Sequence, residues 1–170
     1  ILTFNDSSLE KIFNNGEIDS KVMNELKKLN YSMVGCGAIG CELLKNLSML
    51  GCASTTGRLR VTDPDHIEKS NLSRQFLFRH QHVGKSKAKV ASEMVQQFGN
   101  INIDTFEKKI TPTDSEFSNK FFKDCNIIFN ALDNLQARKY VDSLAFKYNL
   151  PLFESGTMGM KGNTQPVIPF

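Results

Sequence analysis

The sequence predicts an α/β fold in which a mainly parallel sheet is flanked by helices. Three features predict it. Strand-length apolar runs alternate with segments of helical periodicity along the 170 residues, a pattern that yields parallel strands joined by right-handed crossovers. A glycine-rich turn, Gly35-Cys36-Gly37-Ala38-Ile39-Gly40, joins the first such strand to a helix. Two acids, Asp63 and Asp133, directly follow later strands, at the strand ends that line the crevice of an open α/β sheet.

Tyr31–Val34 is short and mostly apolar or β-favouring, and it ends at Gly35. From Cys41 onward Leu43, Leu44, Leu47 and Leu50 recur at helical spacing, with Gly51 as a stop. A strand, a G-x-G-x-x-G turn and a helix form the context of the nucleotide fingerprint in Rossmann-like folds. The glycines allow a tight turn and close approach of backbone to phosphate. The helix N-terminus then presents free N–H groups and a positive dipole end to the anion. After a polar loop at 54–57, the strand Arg58–Thr62 leads to Asp63, 23 residues past Gly40. An acid there accepts hydrogen bonds from ribose hydroxyls, in NAD and ATP alike. Asp63 therefore does not choose between a dehydrogenase and an ATP user, and a plain turn aspartate is the alternative.

The next segment discriminates better. Ser70–Gln75 can form one helical turn, in which Asn71, Arg74 and Gln75 share a face. Arginine offers a planar fork to phosphate oxygens, and asparagine offers both a donor and an acceptor. A dinucleotide dehydrogenase has no need of such a cluster. Arg79, His80, His82, Lys85, Lys87 and Lys89 then lead into a helix carrying Val90, Met94, Val95 and Phe98. Most of these charges read as a solvated helix face. One lysine can reach inward to a phosphate, and spacing alone does not say which.

Ile101–Phe106 alternates like a strand, 111–115 is a polar loop, and Glu116–Lys123 is a short helix. Asn126–Leu132 reads as a strand buried on both faces that runs into Asp133 and Asn134. Beside a triphosphate, Asp133 suits Mg²⁺, which takes one or two carboxylates with phosphate oxygens and water. Its alternative is to cap the helix Leu135–Tyr148. Leu150–Glu154 is a further strand. Residues 1–30 form an N-terminal lead-in rich in Asn, Lys and Ser, where Val22, Leu26 and Leu29 are spaced for a helix; no function is assigned to it.

A formal net charge of +3 is too small to argue for nucleic acid. Phe76 and Phe78 are the aromatics beside the basic run, and they suit burial rather than base stacking. Nor does any apolar run approach the roughly 20 residues of a membrane helix. The four cysteines, Cys36, Cys41, Cys52 and Cys125, include no C-x-x-C pair and no zinc candidate. With no secretory leader they suit a reducing compartment. His66, His80 and His82 read as surface residues.

Residues 34–46, Asp63 through Arg79, Asn130–Asn134 with Ala137 and Arg138, and 154–163 (Glu-Ser-Gly-Thr-Met-Gly-Met-Lys-Gly-Asn) together resemble the active adenylation domain of the ubiquitin-activating enzymes. These belong to the wider ThiF/MoeB-like group, which also adenylates sulfur-carrier proteins. The resemblance runs from about Tyr31 to Phe170 and implies an ATP-binding adenylation domain over 31–170. It implies that Gly35, Gly37, Ala38 and Gly40 cover the nucleotide and that Asp63 binds ribose. Asn71, Arg74, Gln75 and Lys87 would contact phosphates, Asp133 would hold Mg²⁺, and Asn134 would lie beside the nucleotide. Asp65 is acidic in the family too. Arg74, Lys87 and Asp133 carry the catalytic roles. The implied partners are ubiquitin, the inactive adenylation half of the same enzyme and, through the full-length protein, a ubiquitin-conjugating enzyme. The implied thioester cysteine lies beyond this sequence, which reads as a fragment. An adenylating domain for another modifier, an NAD-dependent oxidoreductase and a non-catalytic nucleotide-binding scaffold are the alternatives.

Overall fold

A computed structural model describes residues 20–169. Six strands form one sheet in the order β3-β2-β1-β4-β5-β6: β1 Tyr31–Val34, β2 Leu59–Thr62, β3 Ile103–Phe106, β4 Ile127–Asn130, β5 Leu152–Met158 and β6 Lys161–Val167. The first five are parallel neighbours, and β6 returns antiparallel on β5. The expected mainly parallel sheet is therefore present, in the strand order of dinucleotide-type Rossmann folds.

Strand β1 explains why both faces are covered. Its four residues are all buried, and successive side chains point to opposite faces. Tyr31 and Met33 enter one core with Cys41, Leu44 and Leu47 of α2 (Ala38–Met49) and Val90, Ala91 and Val95 of α3 (Lys87–Val95). Val34 enters the other, with Phe117, Phe121 and Phe122 of α4 (Ser115–Phe122) and Val141, Leu144 and Ala145 of α5 (Leu135–Tyr148). Ser32, a polar residue on that second face, donates its hydroxyl to the Phe121 carbonyl at 3.3 Å. Fully burying one leucine-sized side chain contributes about 1.5–3 kcal/mol, so two such cores fix the layers without any cross-link.

Several boundaries differ from the sequence expectation. Helix α2 begins at Ala38 rather than Cys41, so half of the glycine motif is helical. A short first helix, α1 (Ser20–Leu26), buries Met23, while Val22 is half exposed; the rest of the predicted lead-in is divided between 27–30, which lead into β1, and 1–19, which lie outside the described residues. The last strand extends past Glu154 to Met158 because a hairpin pairs it with β6, a strand absent from the sequence reading. Every residue of β6 is exposed, and Pro166 is tolerated because β6 forms the sheet edge.

Candidate functional site: a nucleotide cradle at the carboxyl ends of the strands

Register brings the site together. Val34 is paired with Thr62 on one side and Asn130 on the other. Gly35, Asp63 and Ala131 therefore leave the sheet side by side, where β1, β2 and β4 end. This is also where the sheet's strand order changes direction, the position at which open α/β sheets bind ligands.

Two of the three glycines are required by contact. Gly35 has a φ of +99°, and a Cβ there would sit 2.7 Å from the Ala131 carbonyl oxygen. A Cβ on Gly40 would sit 2.2 Å from the Gly35 carbonyl oxygen. Gly37 is different. It is the N-cap of α2, offers no side-chain cap, and a Cβ on it would meet nothing within 4 Å. The first turn of α2 thus lacks a side-chain cap and has open space beside Gly37, the arrangement that suits an anion.

Asp63 locks this turn to β2. One carboxylate oxygen accepts from the Cys36 N–H at 2.7 Å and the other from the Asp65 N–H at 2.9 Å. Burial pushes its carboxyl above the ordinary value; the Cys36 and Asp65 N–H groups, then the Lys87 ammonium, pull the other way. Asp65 carries the connection onward. Its side chain receives the Lys87 ammonium at 2.9 Å, and its carbonyl accepts the Lys87 N–H at 2.9 Å. Lys87 is buried, whereas Lys85 and Lys89 are exposed. Ser86 caps α3 and fixes where that lysine starts the helix.

The 70–75 segment departs from expectation. It is a 3₁₀ helix over Lys69–Ser73 that ends before Arg74, whose φ is −141°. Asn71 and Gln75 are turned inward and buried, and Arg74 is exposed, donating to the Ser70 carbonyl at 3.2 Å. The three therefore do not share one face, because the α-helical period behind that expectation does not apply. Asn71 spends its side-chain oxygen on the Glu68 N–H at 2.9 Å. Gln75 leaves its side-chain oxygen buried without a partner among the described residues. His82 is also buried, not on the surface: its Nδ1 accepts the Arg79 N–H at 3.1 Å. His66 and His80 are exposed as expected.

At the end of β4 the capping alternative for Asp133 fails. Asn134 is the N-cap, accepting the Ala137 N–H at 2.8 Å. Asp133 is exposed, and its carboxylate has no hydrogen-bond or ion-pair partner among the described residues. Among those residues no hydrogen bond or ion pair joins Asp133 or Asn134 to Asp63, Lys87 or the 71–75 segment.

The residues present fit a nucleoside triphosphate with a divalent cation. The uncapped helix end and the open space at Gly37 suit phosphate, and the unpartnered Gln75 oxygen suits a donor from a ligand. No group of three His, Cys, Asp or Glu among the described residues could hold a metal by itself. Mg²⁺ bound along with phosphates needs only one or two carboxylates, and Asp133 has one to give.

A match to the ThiF family covers residues 10–170. The chain belongs to the ThiF family. It is 51% identical over 150 residues to "Ubiquitin-activating enzyme E1 1" of Candida albicans (strain WO-1). Against "Ubiquitin-like modifier-activating enzyme 6" of Homo sapiens the figure is 44% over 156 residues. These matches cover 85% and 89% of this chain but 15% of each relative, so the chain spans about one-seventh of their length. A solved structure titled "Crystal Structure of SeMet PaaA" shares the fold, with a TM-score of 0.73 and 24% identity over 92% of this chain and 50% of that one.

Two further observations complete this ThiF-family site. All four cysteines are buried free thiols. Burial raises each of them, Cys36 well above its ordinary value and Cys41 to about 12. They remain protonated at neutral pH. The sequence reading also gave no role to Asn130, Arg138 and Glu154, which form a polar network under the Asp133 loop. A fully buried asparagine inside an apolar strand was the available signal.

Proposed function

We propose that residues 31–170 form an adenylation domain that uses ATP and Mg²⁺ to activate the C-terminal carboxylate of ubiquitin. One observation carries this reading: Asp63 fastens the glycine turn to the segment that holds buried Lys87, so a ribose acceptor, a phosphate cradle and a cation are one connected unit. The names of the relatives, ubiquitin-activating enzymes among them, support ubiquitin as the modifier.

In this reading a carboxylate oxygen of ubiquitin attacks the α-phosphorus of ATP. The bond to the bridging oxygen breaks, and pyrophosphate leaves with the electron pair. A carboxylate is already ionised at neutral pH, so no serine–histidine pair is needed to create the nucleophile. What the protein supplies is positioning and compensation of phosphate charge. Gly35, Gly37, Ala38 and Gly40 form the turn over the nucleotide, and Asp63 receives the ribose. Arg74 and Lys87 bring charge to the phosphates, Asn71 and Gln75 contact them from the buried side of their turn, Asp65 orients Lys87, and Asn134 borders the nucleotide while capping α5. Asp133 is the carboxylate for Mg²⁺, which supplies charge neutralisation when bound. The inactive adenylation half of the enzyme and a ubiquitin-conjugating enzyme are the further partners, in cytoplasm and nucleus.

The test is ubiquitin-dependent exchange of pyrophosphate into ATP by the intact protein, with calorimetric titration of ATP–Mg²⁺ against NAD. Exchange together with preferential ATP binding is expected. Equal or tighter binding of NAD would overturn the reading.

A further inference from the structure

Arg138 stands in the first turn of α5, and its guanidinium is only about one-quarter exposed. It bonds three groups, one just beyond the end of β4 and two within β5. One nitrogen donates to the Leu132 carbonyl and, at 3.0 Å, to the Ser155 carbonyl. The other pairs with the Glu154 carboxylate. Glu154 in turn accepts from the Asn130 amide at 2.6 Å, and Asn130 is its register partner across β4 and β5. The network therefore begins at Asn130, passes through β5 and α5, and returns to the backbone at Leu132, two residues further along.

The Leu132 carbonyl belongs to the same planar peptide unit as the Asp133 N–H. Holding that carbonyl fixes the peptide plane, and with it the Cα position, from which the Asp133 side chain departs. Among the described residues the Asp133 carboxylate has no partner of its own to do this. Gly156 is shaped to the same end, since a Cβ there would lie 2.7 Å from a guanidinium nitrogen of Arg138. The neighbouring Ala131 is meanwhile pressed against the glycine turn. The loop that bears Asp133 is held from both sides.

We propose that Arg138, anchored by Glu154, is a positioning residue that aims the Asp133 carboxylate at the divalent cation accompanying ATP. This rests on the assignment of Asp133 to Mg²⁺ made above. Arginine suits the task because its rigid fork bonds a carboxylate and two carbonyls at once, which a lysine ammonium on a flexible stem cannot reproduce. Partners that orient a metal's carboxylate typically change metal affinity about 10- to 100-fold when removed.

The experiment is calorimetric titration of ATP into the intact protein, with saturating Mg²⁺ and again in chelator. The proteins compared are wild type, Asp133→Ala, Arg138→Lys and the double variant. The gain in ATP affinity that Mg²⁺ confers is expected to fall about tenfold in Arg138→Lys, with affinity in chelator unchanged. The double variant is expected to match Asp133→Ala, because a residue acting through Asp133 has nothing left to act on. If Arg138→Lys does not fold, Gly156→Ala, which crowds the guanidinium, is measured in its place with the same expectation. An undiminished Mg²⁺ gain in Arg138→Lys, an equal loss in chelator, or additive losses in the double variant would overturn the proposal while leaving Asp133 as the Mg²⁺ carboxylate. A full Mg²⁺ gain in Asp133→Ala would overturn that assignment, and the proposal with it.

Discussion

The Lys87 ammonium lies 2.9 Å from the Asp65 carboxylate, and the lysine is almost enclosed while its partner is 62% exposed. The pair is thus a buried cation reached through a solvated acid; the Lys87 ammonium pulls the buried Asp63 carboxyl down, while the Asp65 carboxylate pushes it up. Because burial raises Asp63 on folding, the native state holds that proton more tightly than the unfolded chain. Stability is then lost as pH rises from about 4, the unfolded carboxyl value, through the folded value. Removing the Lys87 charge raises Asp63 further and widens that window. Lys87→Met is expected to show a Tm deficit relative to wild type that is larger at neutral pH than near pH 4. Thermal denaturation across that range checks it; a deficit that shrinks with rising pH contradicts it.

The glycines of the turn are expected to separate fold from binding. At Gly40 a methyl group meets the Gly35 carbonyl oxygen at 2.2 Å, and both sides of that contact are backbone. Overpacking of this kind costs about 1–3 kcal/mol or more, so Gly40→Ala lowers Tm clearly. At Gly37 the methyl meets open space, the space a phosphate would take. Gly37→Ala should lower Tm by less than half as much and weaken ATP binding in calorimetry.

The sheet was legible wherever a strand has a buried face. Tyr31–Val34, Arg58–Thr62 and Asn126–Leu132 announce themselves through apolar or β-branched residues, because both faces of those strands meet helices. Lys161–Val167 reads Lys-Gly-Asn-Thr-Gln-Pro-Val and is exposed throughout, so no alternation records it; only its pairing to β5 makes it a strand. The glycine turn was legible because its demands are local and steric. The side of the chain on which Arg74 emerges was not, since it depends on a 3₁₀ turn ending one residue earlier. Nor was the burial of His82, which follows from an N–H at Arg79 that needs an acceptor.

Asn134, rather than Asp133, supports α5. Its side chain accepts the Ala137 N–H, and loss of such a cap costs about 1 kcal/mol. For a chain of this size that corresponds to about 2–4 °C in Tm. Asn134→Ala should show that loss, whereas Asp133→Ala should leave Tm within about 1 °C of wild type, since its carboxylate bonds nothing among the described residues. Scanning calorimetry of the two variants checks the assignment.

The four cysteines should be silent toward thiol reagents in the native protein. Each is buried and raised by that burial, and the thiolate is the reactive form. Brief maleimide treatment at neutral pH followed by peptide mapping should leave Cys36, Cys41, Cys52 and Cys125 unmodified, and label all four in denaturant. For the same reason none of them should form a thiol-sensitive adduct with ubiquitin in the presence of ATP and Mg²⁺. Such an adduct on any of the four contradicts the burial argument.

Arg74 offers the sharpest separation of chemistry from stability. It is exposed, and the bond it makes is to the Ser70 carbonyl at 3.2 Å within its own turn. Exposed side chains of this kind change stability by less than about 0.5 kcal/mol when truncated. In the adenylation reading its charge is held back for the triphosphate, where it offsets charge as pyrophosphate departs. Loss of one such electrostatic contact typically costs about 3–4 kcal/mol of transition-state stabilisation, a rate effect of a hundredfold or more. Arg74→Ala in the intact protein is therefore expected to keep its Tm and lose ubiquitin-dependent ATP–pyrophosphate exchange by about that factor. An exchange rate within a few-fold of wild type would remove Arg74 from the phosphate-binding set and leave Lys87 as its principal cation.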